Sequence, residues 1–188
     1  IIFFVKMENI NDKYARVRKY IKDGDIILFH GTGIVANVIQ NCDHSYFNHI
    51  GIIFEKCGAL YIVDANENGV QADRLSFRIK KYSPKGDFII LKPTATNEQI
   101  QEALTKILKR SDEKTIKYDF WNGFKELMNR KFGWSLKVDL DESHDICSDY
   151  VSTYQVELKM VTDDFFKVRI AFPQDSFRYM SENVIVID

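Results

Sequence analysis

His49-Ile50-Gly51-Ile52-Ile53-Phe54, the turn Lys56-Cys57-Gly58, Leu60-Tyr61-Ile62-Val63-Asp64-Ala65 and a second turn Asn66-Glu67-Asn68-Gly69 before Val70 form the stretch that decides the fold. Two runs rich in β-branched and aromatic residues, each closed by a glycine-bearing turn, read as consecutive antiparallel strands. Upstream, Asp23-Gly24 turns into a short buried strand, Asp25-Ile26-Ile27-Leu28-Phe29. Downstream, residues 87–92 form another strand, closed by Pro93. Together they read as an antiparallel meander.

Helices bracket these strands. Residues 8–21 place Ile10, Tyr14, Val17 and Ile21 at helical spacing. Gly31-Thr32-Gly33 is too short a glycine pattern for a phosphate loop and reads as a turn into an amphipathic helix over 34–40. Thr96 and Gln99 have capping-box spacing, and Ile100, Ala103, Leu104, Ile107 and Leu108 make one apolar face behind them. Further helices are expected over 119–128, from Cys147 with Ile146, Tyr150, Val151 and Tyr154 as its buried stripe, and over 173–180; a last strand spans 184–187. With no repeat or linker, the class is α+β: one antiparallel sheet with helices packed on it.

Composition narrows the function. At 188 residues and 45% hydrophobic the chain fits one globular domain. A net charge of −1 with a pI near 6.5 argues against a nucleic-acid surface. The cluster Arg78, Lys80, Lys81 and Lys85 reads as a solvated turn rather than a phosphate-binding patch. Three cysteines at irregular spacing make no disulfide framework. Ile1-Ile2-Phe3-Phe4-Val5 is far too short to span a bilayer and is not a complete signal peptide, so a cytoplasmic location is favoured. Met7 is a possible initiator, the alternative being a start left by processing.

The residues that suggest chemistry are Cys147 and His49. Most free cysteines are small buried hydrophobes. Cys147, however, stands where a helix begins, beside Asp145, Ser148 and Asp149, with Asp145 or Ser143 placed to cap that helix. A thiol at the positive end of a helix dipole is easier to ionise. Strand alternation puts His49, Gly51 and Ile53 on one face, and Gly51 either leaves room for an approaching group or marks close packing. A histidine acting as a base needs an acceptor on its other nitrogen. Asp64, a carboxylate ending an apolar strand, offers one; Asn66 and Glu67, nearer the turn, are the alternatives. His30, His44 and His144 are rival histidines. Cys42, His44, His49 and Cys57 match no zinc-ligand spacing, and no metal or other cofactor is expected.

The order of these segments resembles the circularly permuted NlpC/P60 family, papain-like cysteine hydrolases of the YiiX/YebB type with relatives in poxviruses and phages. Gly24-Asp25-Ile26-Ile27-Leu28 is similar to that family's Gly-Asp strand, and Asn48-His49-Ile50-Gly51 to its (Ser/Asn)-His-(Val/Ile)-Gly strand. Val63-Asp64-Ala65 before Gly69-Val70 is similar to a Glu-Ala-like strand end, with Asp where Glu is commoner. Tyr118-Asp119-Phe120, the late Cys147-Ser148, and Phe172-Pro173-Gln174-Asp175-Ser176-Phe177 complete the likeness, which covers about residues 23 to 183. Unpermuted papain-like enzymes place Cys before His; here His precedes Cys.

The resemblance implies a permuted papain-like fold, an antiparallel sheet or half-barrel packed with helices. It implies an N-terminal extension and helix over 1–22 and a catalytic domain over 23–188. Cys147 would be the nucleophile, His49 the base and Asp64 the orienting acid. The activity implied is hydrolysis of amide bonds through a thioester, on a peptide or acyl-amide substrate such as a cell-wall peptide, without nucleic acid or a membrane span. Lipid ester or acyl-transfer chemistry of the lecithin-retinol acyltransferase-like type is the near alternative. A non-catalytic binding or virion protein on the same fold is the distant one.

Overall fold

β1 (Ile26–His30) is apolar on both sides, as a central strand covered on both faces must be. The computed structural model describes residues 9–66, 68–83, 85–113, 117–118, 120–138, 144–145, 147–160, 173, 175 and 185–187. The expectations that fall on Ile1 to Val5, Met7, Glu67 and most of 173–180 lie outside them; Pro173 and Asp175 are helical and buried. β1 pairs antiparallel with β2 (His49–Lys56) and β5 (Asp87–Lys92). β2 continues through β3 (Ala59–Asn66) into β4 (Gly69–Arg74), which is the meander read from the sequence. A short parallel pair, β6 (Lys117–Tyr118) with β7 (His144–Asp145), stands apart. β8 (Ile185–Ile187) adds to the far edge of β5, giving the order β4-β3-β2-β1-β5-β8. Cys57 and Gly58, at φ 52° and 73°, make the two-residue β2–β3 turn, whose positive φ values match the twist of the flanking strands.

Alternation sorts the sheet residues into two cores. Ile26, Leu28, Ile50, Ile52, Val63 and Leu91 pack under α4 (Asn97–Glu113) and α6 (Cys147–Glu157). Ile27, Phe29, Ile53, Ile62, Phe88 and Ile90 pack under α1 (Ile10–Val17) and α3 (Leu75–Tyr82). α2 (Ile34–Asp43) and α5 (Phe120–Phe132) pack against each other, with Cys42 against Leu127. α4 starts with the reciprocal bonds that its sequence predicts: Thr96 N–H donates to Gln99 Oε1 at 2.9 Å, and Gln99 N–H to Thr96 Oγ1 at 3.3 Å.

α6 is fixed in place by two buried phenols. Tyr150 donates to the Ile107 carbonyl of α4 at 2.8 Å, and Tyr154 to the Gly24 carbonyl at 3.1 Å. Gly24 has φ +80°, and an added Cβ would collide with Ile100 and the Tyr154 hydroxyl. The Asp23-Gly24 turn therefore does two things: it starts β1, and it lets two helices approach the sheet. Tyr150, Val151 and Tyr154 are wholly buried, as their stripe predicts.

One expectation is corrected. Residues 75–82 are the helix α3, and Arg78 is buried at 6% exposure rather than standing in a solvated turn. Leu75 and Ile79, one helical turn apart, draw this face onto the sheet, and Arg78 goes in with them.

Candidate active site

His49 opens β2 at one end of the sheet. Its partner is two strand positions away in register: Ile52 faces Val63, so Gly51 stands opposite Asp64 and His49 lies diagonal to it. That diagonal is short enough for a hydrogen bond. Nε2 of His49 lies 2.7 Å from Asp64 Oδ2. An ionised carboxylate only accepts, so Nε2 carries the proton, and Nδ1 is the nitrogen left for another partner.

Gly51 makes this contact possible. A Cβ there would lie 2.6 Å from Ile62 Cδ1 and 3.1 Å from Asp64 Cβ. The space left open at this strand position is thus filled by the neighbouring strand itself. Gly51→Ala should cost about 1–3 kcal/mol by overpacking. A urea unfolding midpoint indistinguishable from wild type would contradict this packing.

Asp64 is wholly buried. Its second oxygen, Oδ1, accepts from Arg78 Nη2 at 2.8 Å and from the Asn66 amide at 3.4 Å. Arg78 Nη2 also meets Asp73 Oδ2 at 3.0 Å. Asn66 therefore supports Asp64 and, among the described residues, makes no bond to His49.

Cys147 comes from the opposite face of the sheet, as the first residue of α6, and is buried at 4% exposure. Its side chain reaches the His49 ring, joining it by a hydrogen bond and, when ionised, by charge. Tyr82, the last residue of α3, closes the group. It stacks on Phe29 with ring centroids 4.4 Å apart, and its ring lies 6.5 Å from that of His49. Two helices on opposite faces thus deliver Cys147 and Tyr82 to the end of β2 where His49 begins. The three residues singled out from the sequence, Cys147, His49 and Asp64, meet there.

The electrostatics follow from this packing. Burial works to lower the His49 pKa, but it is overcome: the charges of Tyr82 and Cys147, with hydrogen bonds to Asp64 and Cys147, hold the imidazole well above its ordinary 6.5. Burial raises the Tyr82 phenol above its ordinary value, so it is neutral near pH 7. With that phenol uncharged, the 2.7 Å hydrogen bond to the buried Asp64 carboxylate is what retains the proton on His49. This protonation contributes stability in full below the unfolded-chain value of about 6.5, and loses it as pH rises through the higher folded value. A ring NMR titration should find His49 losing its proton well above an ordinary histidine. A ring already neutral at pH 7 would contradict the assignment.

A cleft of about 260 Å³ is lined by Gly31, Thr32, Asn48, Lys81, Tyr82 and Lys85 among others; His49 and Cys147 are not in its lining, and Asn48 and Tyr82 are what connect it to them. Asn48 Oδ1 accepts from the Gly31 N–H at 2.5 Å, which ties the β1–α2 turn to the residue before His49.

The rival histidines are engaged elsewhere. His30 stacks on Tyr46 at 4.1 Å, and its Nδ1 lies 2.8 Å from the Gln40 amide. His44 is the left-handed C-cap of α2, at φ 50°. The side chains of His144, Ser143, Asp145 and Ile146 lie outside the description. Cys57 is exposed on the β2–β3 turn, whereas Cys42 is buried. Among the described residues, no three His, Cys, Asp or Glu side chains group in a way that could hold a metal ion. None of their helices is long and apolar enough to cross a membrane.

Arg78 and Tyr82 join this site without having been singled out from the sequence. Both were open to detection: Leu75, Ile79 and Tyr82 repeat at helical spacing, and Arg78 lies three residues from Leu75 on the same face.

No family model matches the chain, and no curated protein does. Among solved structures, the metalloprotein yiiX from Escherichia coli O157:H7, described also as DUF1105, is similar with a TM-score of 0.65 and 18% identity. The likeness covers 89% of this chain and 96% of that one. At this identity it speaks to the fold: a mixed α+β architecture of the YiiX kind, as the resemblance in the sequence implies.

Proposed function

We propose that this chain is a cysteine hydrolase acting on amide bonds, with Cys147 as nucleophile, His49 as base and Asp64 as orienting acid, on a permuted papain-like form of the YiiX-like fold. In this reading residues 23–188 are the catalytic unit. One observation carries the proposal: a single imidazole hydrogen-bonded to a buried carboxylate through Nε2 and to a thiol at a helix start. A thiol needs a base to be a thiolate near neutrality, and the base needs a fixed tautomer; this arrangement supplies both.

The chemistry runs in two halves. His49 takes the Cys147 proton, and the thiolate attacks the substrate carbonyl. The developing oxyanion is stabilised by N–H groups at the start of α6. His49 returns its proton to the departing amine, leaving an acyl thioester on Cys147. Water, deprotonated by His49, then attacks the thioester, releasing the acid and restoring the thiol.

The cleft favours a polar substrate over an acyl chain. Its lining has Tyr82 as the one aromatic, with two lysines, Thr32 and Ser83. A peptide carrying carboxylates suits that lining better than a lipid does. The yiiX neighbour is described as a metalloprotein. Since the described residues here offer no set of metal donors, no step is routed through a metal.

The test is a panel of peptide amides and acyl-lipid esters, offered to the wild type and assayed for release of the acid. Turnover confined to peptides supports the amide reading. Turnover confined to acyl lipids moves the chain to the ester class. If neither is turned over and Cys147 reacts no faster than exposed Cys57 with a thiol reagent, the hydrolase reading fails.

A further inference from the structure

We propose that Arg78 is a positioning residue for the pair: its guanidinium holds one oxygen of Asp64 so that the other is fixed on His49 Nε2, which aims the ring at Cys147. The inference rests on the cysteine-hydrolase reading above and adds a fourth member to the site.

Geometry supports a positioning role. Asp64 has two oxygens and two strong partners, Arg78 Nη2 on Oδ1 at 2.8 Å and His49 Nε2 on Oδ2 at 2.7 Å. With both oxygens engaged, the carboxylate has no free rotation, and neither has the imidazole bonded to it. Arg78 comes from α3 and Asp64 from β3, so the contact pins the acid to a second rigid element.

A purely stabilising role explains the arginine less well. Its side chain is 7% exposed, and its Nε is buried without a hydrogen-bond partner. A buried ion pair adds little net stability, and an unsatisfied donor subtracts from it. An apolar side chain between Leu75 and Ile79 would fill this space at lower cost. What the arginine supplies that an apolar residue cannot is a directed positive charge on Asp64.

The experiment reads Cys147 itself and needs no substrate. Iodoacetamide alkylation at neutral pH is followed by peptide mass spectrometry, with exposed Cys57 in the same chain as internal reference. The variants are Arg78→Met, Arg78→Gln, Arg78→Lys, Asp64→Asn and the double variant Arg78→Met/Asp64→Asn. Folding is checked by circular dichroism. Arg78→Met or Arg78→Gln should slow Cys147 about tenfold, leaving Cys57 unchanged. Asp64→Asn should do the same, and the double variant should be no slower than either single one, because both break one linkage. Arg78→Lys should recover most of the rate. If Arg78→Met does not fold, Arg78→Gln against Arg78→Lys decides by the same criterion.

Alkylation of Cys147 within about threefold of wild type in a folded Met or Gln variant would overturn the proposal. So would single losses that multiply in the double variant, or a Lys variant as slow as Gln. A wild-type Cys147 no more reactive than Cys57 is a separate result: it would sink the hydrolase reading on which this inference stands.

Discussion

Replacing Cys147 by alanine is expected to abolish hydrolysis, with kcat falling by about 10⁴-fold or more, while the fold survives. The rate loss is large because no other described side chain near His49 is a nucleophile. Tyr82, the nearest hydroxyl, is a phenol held neutral by burial. Removing a nucleophile leaves only the residual acceleration from binding and oxyanion stabilisation, which is several orders below the intact site. The structural effect is small by contrast. Cys147 is buried in the core under α6, and losing one sulfur there costs about 1 kcal/mol. A variant that melts near wild type and turns over nothing separates chemistry from folding. Full retained activity would remove Cys147 from the mechanism.

Asp64→Ala should produce the largest loss of stability of any substitution at the site, about 3–5 kcal/mol. The reason is what stays behind. Arg78 would remain buried with one partner, Asp73, whose side chain is 40% exposed. His49 would lose the acceptor that fixes its tautomer, so kcat should also fall by about 10³-fold among the molecules that remain folded. Chemical denaturation gives the first quantity; turnover normalised to titrated Cys147 gives the second. An Asp64→Ala protein as stable as wild type would contradict the buried Arg78–Asp64–His49 chain.

What was legible in the sequence was whatever a short window contains. The meander from His49 to Gly69 followed from β-branched runs and glycine turns, and the α4 capping box followed from Thr96 and Gln99. Cys147, His49 and Asp64 stood out because each marks the end or start of an element, where a polar side chain interrupts an apolar run. What was not legible depends on partners far along the chain. Arg78 looks like one of four basic residues in a row of surface charges, and only its contact with Asp64, fourteen positions earlier, shows why it is buried. Gly51 advertised an open space without saying what fills it; the answer, Ile62 and Asp64, belongs to the strand register. Tyr82 needed α3 in place, because only that helix brings its ring to within 6.5 Å of the His49 ring on β2.

The lysines at the cleft mouth illustrate the same division. Lys81 and Lys85 are exposed, as a solvated cluster requires, yet they line a cleft together with Asn48 and Tyr82 rather than a featureless turn. Their neighbour Arg78 has the opposite fate because helical phase turns it toward the sheet.

On the proposed mechanism, acyl groups pass through the Cys147 sulfur. The most direct test is to quench the wild type with acid during turnover of an activated acyl substrate and locate any covalent acyl group by peptide mass spectrometry. The expected result is one adduct, on Cys147, that hydroxylamine removes and that Cys147→Ala does not form. Steady turnover with no adduct on Cys147, or with a hydroxylamine-sensitive adduct on another residue, would contradict it.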